Sequence, residues 1–246
     1  MSSADPRLPA SGLPVGTVAV EHHGASGYTA NDGNSDTVLA TLFEGCALIK
    51  CPGRLDVARN RIQQVYEDYL LHSPRPAALH ILVRLRVLSA LANNAARMGV
   101  PPEGLCRDDS ISLYNLTGPP RPGVLDPHTS SPLALQPTPL QRTVLHHPWI
   151  DLFPFPRLRD NVLLGMEAGR LDDDELCADI LEVKDEDLSG KPSLIVWGES
   201  WDWTAWEAND AFFRKWGFLA RGCPELLEAT NRWRAKRGEK KVVFEV

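Results

Sequence analysis

With 246 residues, 43% hydrophobic and 24% charged, the chain is long enough for one substantial core and too apolar to be disordered throughout. Its net charge of −6 argues against a surface that clings everywhere to nucleic acid or anionic lipid. The five cysteines (Cys46, Cys51, Cys106, Cys177, Cys223) are odd in number and form no CxxC pair, and no apolar run spans a bilayer, so free thiols and an intracellular address are expected.

Residues 1–35, rich in Gly, Ser, Pro and Asn without apolar periodicity, read as a disordered leader. A single irregular, mainly α-helical domain is expected over 36–241, with at most a minor β element. Val38, Leu39, Leu42 and Phe43 recur at helical spacing, predicting a short helix to about Ile49 before the turn at Cys51-Pro52-Gly53. Leu55, Ala58, Ile62, Val65 and Tyr69 mark one face of a second helix, which stops ahead of Ser73-Pro74. A third helix runs from near Pro76 to Met98, closed by Gly99 in a left-handed conformation with Pro101 beyond. Being apolar almost all round from Leu79 to Leu91, it is the expected central buried helix.

Residues 118–139 contain seven prolines in 22 residues and predict a long irregular loop within the domain. Next comes His146–Arg159, HHPWIDLFPFPRLR. Five of the seven residues from Trp149 to Phe155 are large and apolar, while Pro148, Pro154 and Pro156 bar a long helix or a paired strand. The prediction is an extended aromatic strap pressed into a groove, ending where Pro156 opens a helix whose inner face is Leu158, Val162, Leu163 and Met166.

Asp172-x-x-Glu175 reads as a capping box for a helix through Leu181, and Thr204-x-x-Glu207 as a second, opening a helix to about Trp216. Asn209 would lie on the inner arc of that helix and need a hydrogen-bond partner. Leu194–Trp197 is either a strand or a helical turn. Pro224, Glu225, the late cations Arg234, Lys236 and Arg237, and Gly238 delimit the last helix, whose inner face is Leu226, Ala229, Thr230 and Trp233.

All seven tryptophans (149, 197, 201, 203, 206, 216, 233) lie in the second half of the chain. They either build a tryptophan-rich core or line a site for a flat ligand or a partner's aromatic residue. On the second reading the candidate binding residues are Trp149, Phe153, Trp197, Trp201, Trp206, Asn209 and Trp216.

His146, His147 and Asp151 are of metal-ligand types, but neighbours on an extended strap point apart, so no metal site is expected. Cys223 precedes the last helix, where the dipole favours a thiolate, yet no histidine follows His147 and a buried structural thiol is the simpler reading. No GxSxG, phosphate-binding loop or dinucleotide-binding glycine pattern is present. Charge is segregated: residues 167–187 carry ten acidic and two basic residues, residues 214–241 nine basic and three acidic. These are either two solvated faces that attract one another or, for Arg232, Arg234, Lys236, Arg237, Lys240 and Lys241, a basic tail for nuclear import or phosphate contact.

Several stretches together carry a resemblance: Pro137–Gln141, His146–Pro156, Arg159–Asn161, Trp197-Gly198, Trp201-Asp202, Trp206-Glu207 and Arg221–Leu227. In order and spacing they resemble a fungal domain of unknown function commonly found C-terminal to a basic leucine zipper in transcription-factor-like proteins, over about residues 79–238. The resemblance implies a nuclear regulatory module (the cytoplasm being the alternative) that binds a protein partner, either transcription machinery or a zipper-containing factor. It implies no reaction and no cofactor. The chain departs from the pattern in two ways. Ahead of the domain, Arg54–Tyr69 has Leu55, Ile62 and Tyr69 seven apart, barely two heptads with few basic residues, which argues against direct DNA binding. After Trp201-Asp202 it has Trp203 where a proline is common. Two alternatives stand beside this reading: a small-molecule sensor with a tryptophan-lined pocket, and an enzyme using His147, Asp151 or Cys223.

Overall fold

The computed structural model describes residues 60, 64, 67, 79–100, 105, 109–120, 123, 130–181 and 191–244. The expected leader and the helix over 36–49 lie outside these residues, as does the second helix except for Asn60, Gln64 and Glu67, which are helical. The described part is mainly α, with six helices and one two-stranded antiparallel sheet.

The first helix, α1 (Leu79–Met98), ends as its glycine predicts. Gly99 has φ 68°, its N–H donates to Ala96 O, and Val100 N donates to Ala95 O, so two carbonyls of the last turn are satisfied. Ile81, Val87, Leu88, Ala90, Leu91 and Ala95 are buried, but His80, Arg86, Ser89 and Asn93 are exposed. The helix therefore lines the core on one side instead of being surrounded by it. A short helix, α2 (Leu113–Thr117), follows, capped by Ser112 Oγ, which accepts from Tyr114 N at 3.1 Å. Of the proline-rich segment, residues 121–122 and 124–129 lie outside the described residues; in its described part Leu133–Leu135 form a 3₁₀ turn, and Leu135 is fully buried beneath the hydroxyl of Tyr114, which donates to its carbonyl at 3.0 Å.

The aromatic strap is buried along its length, with Trp149 3%, Phe153 1% and Phe155 2% exposed. Its middle is not extended. Pro148–Leu152 form a 3₁₀ turn with Pro148 at its first position, where a missing N–H costs nothing and a fixed φ already suits the turn. Helix α3 (Pro156–Glu167) then opens on Pro156 and turns Leu158, Arg159, Val162 and Leu163 inward. Helix α4 (Asp173–Leu181) is capped by Asp172, whose Oδ1 accepts from Asp174 N at 3.0 Å. The reciprocal half of that capping box is replaced: Glu175 reaches instead to Lys215 Nζ at 2.7 Å.

Leu194–Val196 are strand β1, paired antiparallel with β2 (Trp206–Ala208) in the register Leu194 to Ala208, Ile195 to Glu207 and Val196 to Trp206. This overturns the helix expected from Thr204 to Trp216. Asp202 caps a 3₁₀ turn at Trp203–Ala205, accepting from Thr204 N at 2.9 Å and Thr204 Oγ1 at 2.7 Å. Helix α5 (Asp210–Trp216) starts later, with Asn209 as its cap. Strand β1 needs an edge to pair with, and that tertiary demand outweighs the helical leaning of the Ala-Trp-Glu-Ala run. Strand β2 is buried at all three positions between β1 and helix α6 (Pro224–Lys236), while β1 lies on α1. Thr230 of α6 accepts from Ala208 N at 3.0 Å. A further 3₁₀ turn, Gly217–Ala220, links α5 to α6, and Gly238 (φ 71°) closes α6 as predicted. One continuous core joins the strap, α1, α3, α4, the sheet, α5 and α6.

Candidate functional site

The 3₁₀ turn in the strap swings Asp151 back toward His146 and makes it the centre of a buried polar cluster. Asp151 is 3% exposed. Its Oδ1 accepts from Gln141 Nε2 at 2.5 Å and faces His146 Nε2 at 2.7 Å, and its Oδ2 accepts from Ser112 Oγ at 2.5 Å. The other ring nitrogen of His146 lies 2.7 Å from the Val144 carbonyl, which can only accept, so Nδ1 carries a proton. Gln141 is held in turn by Thr138, and Asn115 donates to the carbonyls of Gln141 and Val144. Arg159, fully buried on α3, donates to the carbonyls of Asp151 at 3.0 Å and Gln136 at 2.8 Å, leaving its Nε unpaired. Burial pulls its pKa below the ordinary arginine value, against the opposing pull of Asp151. The cluster thus ties the approach to α2, the turn at 138–146 and the strap to one carboxylate, and α3 to the backbone of the same residue.

His146 and His147 diverge, as neighbours on a strap should. His147 Nδ1 lies 2.6 Å from Asp173 Oδ2 at the start of α4. The hydrogen bond from His147 holds the Asp173 carboxyl below its usual value. Among the described residues, no group of three His, Cys, Asp or Glu side chains stands close enough to hold a metal ion. Cys223 is buried at the N-terminus of α6, where burial pushes its thiol up to about 12. Desolvation there outweighs the helix dipole, and the thiolate that the dipole would favour does not form near neutrality.

The candidate binding aromatics separate into two sets. Trp149, Phe153, Trp206 and Trp216 are interior. Trp149 meets Phe153 edge-on at 5.7 Å, and Trp206 meets Phe153 at 5.9 Å and Phe155 at 6.2 Å, while its Nε1 donates to Ser200 O at 2.9 Å. Trp216 Nε1 donates to Asp179 at 2.9 Å. Asn209 is spent as a cap: its Oδ1 accepts from Phe212 N at 2.8 Å and Ser193 N at 3.1 Å, and its Nδ2 donates to Lys191 O. Only Trp197 (44%) and Trp201 (36%) of the set present much surface.

These two indoles stand on the connection between β1 and β2, and each has a cation over its ring. Arg97, at the end of α1, lies 5.8 Å from the Trp201 ring and pairs with Glu199. Trp197 stacks on Trp233 at 5.4 Å, with Arg237 5.5 Å from Trp197 and Lys236 3.8 Å from Trp233. Below them Glu207, 3% exposed, accepts from Trp197 Nε1 at 2.8 Å and from both terminal nitrogens of Arg237 at 2.9 and 2.5 Å. Hydrogen bonds to Glu239 and Glu207 raise the Arg237 pKa further. The basic tail is accordingly divided. Arg234 is engaged with Asp210 and Glu239 and Arg237 with Glu207 and Glu239, whereas Arg232, Lys236, Lys240 and Lys241 are exposed, the first donating to Thr204 O. Among the described residues the acidic and basic segments meet where Lys215 bridges Glu175 at 2.7 Å and Asp179 at 2.5 Å. Burial works against the Lys215 charge, but the hydrogen bonds to Asp179 and Glu175 outweigh it and raise its pKa.

Ser112, Gln141 and Glu207 carry roles that sequence reasoning missed. Gln141 had a signal in the Thr138-x-x-Gln141 spacing, which is that of a capping box; Ser112 and Glu207 act across gaps of 39 and 30 residues that local patterns do not see. No described helix is long and apolar enough to cross a membrane. No curated protein and no solved structure matches the chain. Residues 127–227, which hold every stretch on which the resemblance was drawn, match the family model described as Domain of unknown function (DUF3425).

Proposed function

We propose that the chain is a non-enzymatic, nuclear interaction module in transcription regulation, of the kind that accompanies basic leucine zippers in fungal transcription-factor-like proteins. Its partner on this reading is a zipper-containing factor or a component of the transcription machinery, and it needs no cofactor. The resemblance supplies the setting. The observation that carries the reading is the division of labour in the described residues. Ser112, Asp151 and His146 are buried and bonded to one another, Cys223 is buried apart from them and His147 is paired with Asp173, while Trp197, Trp201 and the cations around them lie at the surface. Exposed indoles beside arginine are the composition that protein interfaces favour.

The test is cross-linking in nuclear extract followed by identification of the attached proteins, with wild type compared to Trp197→Ala and Trp201→Ala. Wild type should localise to the nucleus and attach to a zipper-containing or general transcription factor, and the substitutions should abolish attachment without altering the far-ultraviolet circular dichroism. Cytoplasmic residence, or attachment that ignores both substitutions, would overturn the proposal.

A further inference from the structure

The middle of α6 is fastened to the loop that follows Trp201: Trp233 Nε1 and Arg232 Nη2 both donate to Thr204 O, at 2.9 and 2.7 Å. Beside that junction Trp197 lies on Trp233 with Arg237 against its ring, and Lys236 stands over Trp233. Trp197 is tied down as well through its Nε1, which donates to the buried Glu207. One surface therefore carries Trp201, Arg232, Lys236 and Trp197. Its two outer indoles are open, Trp197 being 44% and Trp201 36% exposed. An indole held in place beforehand loses little freedom when something is laid on it.

The carboxylates of this edge are already matched. Glu199 pairs with Arg97, Glu207 with Arg237, and Glu239 with Arg237 and Arg234, while Asp202 is spent on the N–H and hydroxyl of Thr204. The cations are not. None of the ion pairs among the described residues involves Arg232 or Lys236, which are exposed and one turn apart on α6. The helix dipole accounts for a cation in the last turn of α6, which includes Lys236, but Arg232 lies ahead of that turn. In a chain of net charge −6, the edge with the open indoles thus carries positive charge that the chain does not neutralise.

We infer, resting on the reading of this edge as the docking surface, that the partner segment it takes is acidic. In that segment Asp or Glu residues flank an aromatic or long aliphatic side chain. The apolar group packs on the indoles of Trp197 and Trp201, and the carboxylates meet Arg232 and Lys236. Apolar cover supplies affinity, and the unmatched cations steer the encounter and reject basic segments. A nucleic acid fits this surface less well. It would bring a phosphate at every step along its length to a molecule of net negative charge, and the exposed Glu199 and Glu239 interrupt the cations it would follow. A peptide with a few carboxylates can be spaced to avoid both.

The test uses the full chain and a fluorescein-labelled peptide of sequence EDDFEDLLEE, with QNNFQNLLQQ as its uncharged counterpart and a short oligothymidylate beside them, all read by fluorescence anisotropy. The acidic peptide should bind saturably and at least about tenfold more tightly than the uncharged one, and the gap should shrink as salt is raised. Arg232→Gln combined with Lys236→Gln should close the gap, while Trp197→Ala combined with Trp201→Ala should abolish binding of both peptides, each with unchanged circular dichroism. No saturable binding of the acidic peptide, equal affinity for the two peptides, indifference to the paired glutamines, or tighter binding of the oligothymidylate overturns the inference. Should the glutamine variant not fold, wild type decides it: an acidic-peptide affinity that is the same at low and high salt overturns it. Concentration-dependent dimerisation of wild type that the paired glutamines abolish also overturns it, in favour of a second copy on this edge. The docking surface itself fails separately. In nuclear extract, attachment that survives loss of both indoles sinks the surface, whereas attachment lost with the indoles and kept by the glutamine variant sinks only the acidic partner.

Discussion

Replacing Asp151 with alanine tests whether one carboxylate organises the middle of the chain. The substitution leaves three polar groups, the donors Ser112 Oγ and Gln141 Nε2 and the ring nitrogen Nε2 of His146, facing a space with no partner, at a site only 3% exposed. Each stranded group costs about 1–3 kcal/mol, but Ser112 can rotate its hydroxyl and neighbours relax, so the simple sum of about 3–9 kcal/mol is a ceiling. Removing the shared carboxylate of a buried hydrogen-bonded network is expected to cost about 3–5 kcal/mol, inside that ceiling. For a domain of this size it corresponds to a fall in Tm of very roughly 6–20 °C. Asp151→Asn should lose less, about 1–2 kcal/mol, because its oxygen still accepts from Gln141 while its amide donates to Ser112 Oγ. The assay is urea unfolding followed by tryptophan fluorescence, extended to a double-mutant cycle with His146→Ala. The two losses must fall short of adding, since the residues share one hydrogen-bonded network. A loss below about 1 kcal/mol for Asp151→Ala, or strict additivity with His146→Ala, would refute the hub.

Emptying the site of Trp149, which is 3% exposed and edge-packed on Phe153, should cost about 3–5 kcal/mol, read as a shift of the urea midpoint; wild-type unfolding in Trp149→Ala would contradict the strap's role in the core. Asp173 has its carboxyl pKa lowered by His147, so its contribution is present above the ordinary carboxylate range and disappears as pH falls through the lowered value. Asp173→Asn should therefore be less acid-sensitive than wild type between about pH 5 and 2, and parallel stability curves would show the His147 bond to be inconsequential. Cys223, pushed up to about 12, should resist iodoacetamide in the folded chain at pH 8 and react fully in urea, as mapped by mass spectrometry. Because its folded pKa is raised, that thiol's contribution to stability is intact below about 9 and declines as pH climbs toward 12; a Cys223→Ser variant with the same alkaline decline would assign it elsewhere.

Trp206 and Asn209 show where local pattern misleads. Thr204-x-x-Glu207 has the spacing of a capping box, yet Asp202 and Asn209 do the capping and the residues between them are a turn and a strand. Both Asx side chains were visible in the sequence, but choosing among three neighbouring candidates for a helix start depends on whether β1 finds a partner, and that lies across the chain. The tryptophans teach the same lesson about the site. Composition placed all seven in one half of the protein, and packing alone separated Trp206, wholly enclosed, from Trp197 and Trp201 at the surface.

The elements set by the sequence itself are those whose signals act over a few residues. Gly99 ends α1, Pro156 opens α3, and Pro224 and Gly238 bracket α6, because a fixed φ, a missing N–H or a left-handed residue constrains its own neighbours whatever the rest of the chain does. Burial of Trp149, Phe153 and Phe155 was legible for a like reason: so much apolar surface interrupted by proline has nowhere else to go. Only the tertiary structure decided the pairing of β1 with β2, the convergence of Ser112, Gln141 and His146 on Asp151, and the seating of Phe244 against Gly217. Each of those needs groups from separate segments to arrive together, and the free energy that holds them exists only once the core has brought them within a few ångströms.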